Sequence, residues 1–158
     1  MAAFNRSYYF NYTSLNGRTY RLEIYDELFT GASREGKLGA GGCVIDYGTD
    51  GSELYAPFKP STMTIPFVVG GSGNTFLDGD YIKRLRTLRE ERQVYAYLYR
   101  ENVSGTNNPQ YSPLWGGYML FDLADEPDQS PPYIINLKCV DGLASLKYFD
   151  MIPPANTQ

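Results

Sequence analysis

The chain has 158 residues and a formal charge of −4, with 42% apolar, 15% aromatic and 20% charged side chains. That balance excludes wholesale disorder, and the length suits one domain with a proper core. An acidic chain also lacks the basic face that neutralising phosphates requires, which argues against nucleic-acid specificity.

Read in chain order, the punctuation is that of a sheet protein. Tyr8 to Thr13 and Arg18 to Tyr25 flank Asn16-Gly17, which predicts a hairpin with a two-residue type I′ turn, since both central residues there need positive φ. In the second strand Tyr20, Leu22 and Ile24 share one face, and Arg21 and Glu23 share the other. A Gly-rich connector, Thr30 to Gly42, leads to a short strand at Cys43 to Tyr47. The Asp50-Gly51 turn and a strand at Glu53 to Phe58 come next. Thr62 to Val69 reads as a strand that Pro66 demotes to an edge or bulge, because proline has no N–H to give a ladder.

Gly70 to Asn74 is a loop, and Asp80 to Arg92 is the one predicted helix. Tyr81, Leu85 and Leu88 give it a narrow apolar stripe, with Asp78 or Asp80 as its cap. The basic cluster Lys83, Arg84, Arg86, Arg89 and Arg92 reads as its solvated face or as a subunit contact. Gln93 to Arg100 alternates, placing Val94, Ala96 and Leu98 on one side and Tyr95, Tyr97 and Tyr99 on the other. Both faces are expected to be covered. Asn102 to Pro113 is a polar loop of a length associated with interfaces. A strand around Trp115, an acidic loop at Asp125 to Asp128, a strand from Tyr133 and a turn at Asp141-Gly142-Leu143 complete the chain. The expected fold is mainly β, an antiparallel sandwich or barrel. Residues 1–150 form a single module, or two small packed β subdomains, and residues 151–158 a loose tail.

Tests for chemistry fail one after another. The absence of histidine removes Ser-His-Asp and Cys-His triads and histidine-ligated zinc. Neither Gly39 to Gly42 nor Gly70 to Gly73 is followed by the residues that cradle a phosphate. Asp46 and Asp50-Gly51 begin like a calcium loop, but Gly48 and Pro57 stand where ligands are required. The acidic pairs Asp78 with Asp80 and Asp122 with Asp125 are ordinary for turns. The expectation is therefore no catalytic residue, no metal and no cofactor. Cys43 and Cys139 sit apart in apolar patterns and read as buried free thiols. No run is long enough to span a bilayer, and Met1 to Tyr12 has no continuous apolar core of a signal peptide.

Tyrosine is the outlier, with 15 Tyr against 8 Phe and one Trp. A ring with a hydroxyl suits half-buried sheet faces and interfaces, although strand propensity alone also enriches it. Trp115, followed by Gly116-Gly117, reads either as an interface or sugar-stacking platform or as a core ring packed over glycines. The candidate interface residues are accordingly Tyr95, Tyr97, Tyr99 and Trp115, with Gly105, Thr106, Asn107 and Asn108 in the long loop.

The strand Leu114 to Asp122, the strand Pro131 to Val140 and the turn Asp141 to Lys147, together with the opening strand Tyr20 to Asp26 and Pro60 to Pro66, resemble a known group. This order is similar to the N-terminal region of tail-tip (baseplate) hub and distal-tail proteins from phages and prophages of Bacteroidetes-type bacteria. The resemblance covers roughly residues 18–148, and its longer members continue well beyond the final turn. It implies a structural virion tail protein, made in the host bacterial cytoplasm. Such a protein would form or join a trimeric or hexameric ring with itself and with tail-tube, tape-measure or tip proteins. The connectors Thr30 to Gly42, Gly70 to Gly79 and Asn102 to Pro113 would then bridge subunits. The alternative is a free-standing carbohydrate-binding β domain.

Overall fold

The computed structural model describes residues 4–48, 60–70, 75–87, 93–102, 110–120 and 127–142. Its strands are β1 (Asn5–Thr13), β2 (Thr19–Asp26), β3 (Arg34–Glu35), β4 (Val44–Tyr47), β5 (Ser61–Val69), β6 (Val94–Glu101), β7 (Tyr111–Leu120) and β8 (Tyr133–Asp141). The helix α1 (Thr75–Thr87) lies between β5 and β6 in the chain. All eight strands belong to one sheet in the order β3-β1-β2-β6-β7-β8-β5-β4. Every neighbouring pair is antiparallel except β1 with β3. The fold is mainly β, as expected.

The sheet rolls until its ends meet face to face. Tyr8 and Phe10 of β1 pack edge-on against Phe67 of β5, with ring centroids 5.3 and 5.6 Å apart. The connector after β3 laces these ends together. Gly36 N donates to Tyr9 O on β1, while Val68 N donates to Lys37 O and Gly39 N to Pro66 O on β5. Among the described residues a single bridge, Leu38 to Phe67, marks this seam, so the sheet described is open and sandwich-like, without a ladder that closes a barrel. The glycines are what let the connector lie this close. A Cβ on Gly36 would fall on the Phe10 ring, and one on Gly42, whose φ is +66°, would sit 2.8 Å from the Tyr12 ring.

Alternation in the strands supplies the core. Leu22, Ile24, Met63, Ile65, Val69, Ala96, Met119, Ile135 and Leu137 are buried in one cluster, fed by every second residue of their strands. The β1–β2 register slips between Arg6 and Tyr8, and this bulge turns Ser7 inward as well as Tyr8. Ser7 Oγ then reaches Ile24 O at 3.1 Å and Tyr81 Oη of the helix at 2.9 Å.

Several expectations need correction. The hairpin between β1 and β2 forms, but without a type I′ turn, because only Gly17 has positive φ, at 76°. Gly17 N donates to Ser14 O and Ser14 N to Arg18 O, the pattern of a wider turn closed by a left-handed glycine bulge. The helix begins at Thr75, so Asp78 and Asp80 lie within it and neither caps it. Among its described side chains Tyr81, Ile82 and Leu85 are buried, and Leu88 to Arg92 lie outside the described residues. Arg84 is turned into the fold and does not simply lie on a solvated face. It pairs with Asp26, which is wholly buried at the end of β2, and it lies over the Phe29 and Tyr81 rings. Burial lowers the pKa of this guanidinium.

Pro66 does not interrupt β5, where it pairs with Asn136 of β8. Its carbonyl accepts from Gly39, so its nitrogen faces the same side, beyond the end of the β4 ladder at Thr64. The missing N–H costs no ladder bond there. The expected strand at Glu53 to Phe58, the Asp50-Gly51 turn, the loop Gly105 to Asn108, Asp122 and Asp125, and the turn after Gly142 lie outside the described residues.

Candidate functional site

The outward face of β1, β2, β6 and β7 carries most of the chain's chemistry. Cross-strand pairing sets its grid. Tyr9, Glu23, Tyr97 and Gly116 form one row, and Arg6, Tyr25, Tyr95 and Tyr118 form the next. Asn11, Arg21 and Tyr99 make a third. The alternation that sends Leu22, Ile24, Val94, Ala96 and Leu98 inward sends these residues outward.

The tyrosines touch one another along and across strands. Tyr95 and Tyr97 stack at 6.4 Å with their planes 13° apart, and Tyr99 continues the ladder at 6.4 Å. Tyr25 meets Tyr97 edge-on at 5.7 Å, and Phe4 meets Tyr95 edge-on at 5.0 Å. Gly116 leaves the space in which the Tyr97 ring lies, since a Cβ there would come within 2.9 Å of that ring. Edge-on and offset contacts of this kind are favourable for aromatic quadrupoles.

Beneath and beside the rings sits a charged cluster. Glu23 is only 7% exposed. Its carboxylate lies 2.5 Å from Arg6 Nη1 and 3.0 Å from Arg21 Nε, and accepts from Tyr25 Oη at 2.8 Å. Both guanidiniums also lie over the Tyr9 ring, at 5.1 and 5.3 Å, and Arg21 over Tyr111 at 5.5 Å. The one carboxylate is thus shared by two guanidiniums, which leaves a net positive charge, and the rings hold the cluster in place, an arrangement that fixes side-chain rotamers before anything binds. Burial, and then the bond to Glu23, pushes the Tyr25 phenol up to about 12. Burial also raises Tyr99.

The cover expected over the Tyr95, Tyr97 and Tyr99 side does not come from the chain itself. Tyr97 is 37% exposed and its two neighbours are half-buried. Trp115 goes the other way. Its ring points into the core at 7% exposure, over Gly117, and Nε1 donates to Ser61 Oγ at 2.8 Å. A buried indole cannot be the interface residue or the sugar platform. Gly105, Thr106, Asn107 and Asn108 lie outside the described residues. The structure thus brings three of the expected residues together and adds Arg6, Tyr9, Arg21, Glu23 and Tyr25. The shared face of Arg21 and Glu23 was visible in the alternation, but that both strands border the tyrosines was not.

Among the described residues no three His, Cys, Asp or Glu side chains converge as a metal site. Cys43 and Cys139 are free thiols, and burial pushes Cys43 up to about 12, far from the thiolate that reacts. Among the described residues no helix is long and apolar enough to cross a membrane. No family model matches the chain, and no curated protein or solved structure is similar to it.

Proposed function

We propose that this chain is an assembly module of a phage tail, a distal-tail or baseplate-hub component that forms or joins a ring between the tail tube and the tip. The observation that carries the reading is the outward tyrosine and arginine face of β1, β2, β6 and β7. Tyr and Arg are among the residues that dominate protein contacts, Tyr because a large rigid ring loses little rotamer freedom and Arg because its planar fork adds several directed hydrogen bonds. Here they are already locked by Glu23 and by each other. The partners would be further copies of the chain and neighbouring tail-tube, tape-measure or tip proteins, and its place is the virion tail.

Light scattering of the purified chain tests this. The natural sequence is expected at trimer or hexamer mass, alone or with a tail partner. Tyr95→Ser with Tyr97→Ser should lower the mass while circular dichroism stays unchanged. A monomer insensitive to both changes, which meets no tail protein, overturns the reading. The same rings could stack on sugars, and binding of bacterial glycans to a monomer would favour the carbohydrate-binding alternative.

A further inference from the structure

A second surface, adjoining the tyrosine face at Asn11, is an open groove of about 1110 Å³ between the end of β1 and the connector Glu35 to Gly42. One wall is a strand edge. Hydrogen-bonded and non-bonded pairs alternate along an antiparallel ladder. Because Ser14 N bonds Arg18 O, the residues of β1 whose backbone faces β2 are Tyr12, Phe10 and Tyr8. Tyr9, Asn11 and Thr13 therefore turn their N–H and C=O groups toward the other edge. Tyr9 O does so visibly, accepting from Gly36 N at 2.9 Å. Beyond it, among the described residues, no backbone group bonds the outward N–H or C=O of Asn11 or Thr13.

We infer that the β1 edge at Asn11 to Thr13 is a docking site for an extended polypeptide, which adds to the sheet as a strand within this groove. Two observations specify the occupant. The edge offers a donor and an acceptor at every second residue, a spacing that extended backbone reproduces and a sugar or flat aromatic does not. The same edge already carries one extended segment, since β3 pairs with Tyr8 and Tyr9 in parallel, and the unpaired stretch continues that ladder. The opposite wall suits close approach of another chain, because Gly36, Gly39, Gly41 and Gly42 line it without side chains. Leu15, wholly exposed at the hairpin tip beside the groove, offers an apolar contact at one end. The groove walls carry one acid, Glu35, and one base, Lys37, so they favour an uncharged segment.

The test pans phage-displayed random dodecapeptides against the whole chain and follows the selected peptides by hydrogen exchange. Slowed exchange at the Asn11 and Thr13 amides is expected on binding. Thr13→Pro removes one outward donor without touching the β2 ladder, as proline is tolerated on strand edges. It should weaken the selected peptides about tenfold, the loss of roughly one hydrogen bond. Should that variant misfold, the exchange pattern of the natural sequence still decides. Selected peptides that leave Asn11 and Thr13 exchange unchanged, an empty selection, or protection of both amides by a second copy of the chain alone would each overturn the proposal. None of these outcomes depends on the ring assembly, whose readout is mass.

Discussion

Trp115 Nε1 donates to Ser61 Oγ, and Ser61 in turn donates to Asp141 Oδ2 through both its hydroxyl, at 2.6 Å, and its backbone N–H, at 2.7 Å. One buried serine thus ties β5, β7 and β8 at the end of their shared ladder. Trp115→Phe keeps most of the ring but strips the indole donor from a buried acceptor. The expected cost is about 1–3 kcal/mol, the penalty for a lost buried bond with its partner left in place. Denaturant melts check it, and Trp115→Ala should cost about 3–5 kcal/mol through the added cavity.

The two glycines after Trp115 should respond in opposite degree. A Cβ on Gly117 would fall against Val140 O and 2.5 Å from Trp115 Cη2, and backbone across a ladder cannot yield. Gly117→Ala is therefore expected to destabilise by roughly 3 kcal/mol or more, at the severe end for single changes. Gly116→Ala meets only the Tyr97 ring, on the open side, and that ring can swing toward water. Thermal melts should show a small loss for Gly116→Ala. Equal losses would mean that the outer tyrosine ladder is as rigid as the core.

These residues also show what sequence could and could not reveal. Strand positions followed from the period of two, and so did the sorting of Leu22, Ile24, Val94 and Leu98 from Arg21, Glu23 and the tyrosines. Whether an outward face stays open was not legible, because cover comes from tertiary neighbours that alternation does not encode. Trp115 was undecided for the same reason. A tryptophan before two glycines fits either face, and the Ser61 partner that fixes it lies 54 residues away. The helix was placed too late because Gly79 weakens the local signal, while the contacts that anchor the helix, Tyr81 to Ser7 and Arg84 to Asp26, are tertiary. Tertiary contact overrode the weak local propensity of a segment containing Gly79.

Arg84 and Asp26 supply a third prediction. Asp26 is fully buried, accepts from Leu28 N at 2.8 Å, and pairs with Arg84 of the helix. Arg84→Met removes the charge while keeping much of the stem, and leaves the carboxylate buried without its cation. Breaking a buried pair from one side costs about 3–5 kcal/mol, and the value here should sit near the lower limit because Arg84 is partly exposed. The double change Arg84→Met with Asp26→Asn should recover part of the loss. A denaturant series on Arg84→Met, Asp26→Asn and the double variant measures the coupling.

The last prediction is alkaline. Tyr25 has its phenol pushed up to about 12, first by burial and then by its bond to Glu23, against an ordinary value of 10.0. Burial likewise raises Tyr81, whose hydroxyl meets Ser7 in the core. A group whose folded pKa lies above its unfolded one holds its proton more tightly when folded. Its contribution is complete below about pH 10 and is lost as pH climbs from there toward 12. The fold should therefore weaken over that window, with the tyrosinate absorbance of the most exposed rings rising first and that of Tyr25 and Tyr81 last. Tyr25→Phe and Tyr81→Phe have no phenol to ionise, so each should flatten part of the decline, Tyr81→Phe by more because its site is drier. Melting temperatures recorded from pH 8 to about 12 decide it, and an identical slope for all three proteins would mean that neither phenol governs the alkaline limit.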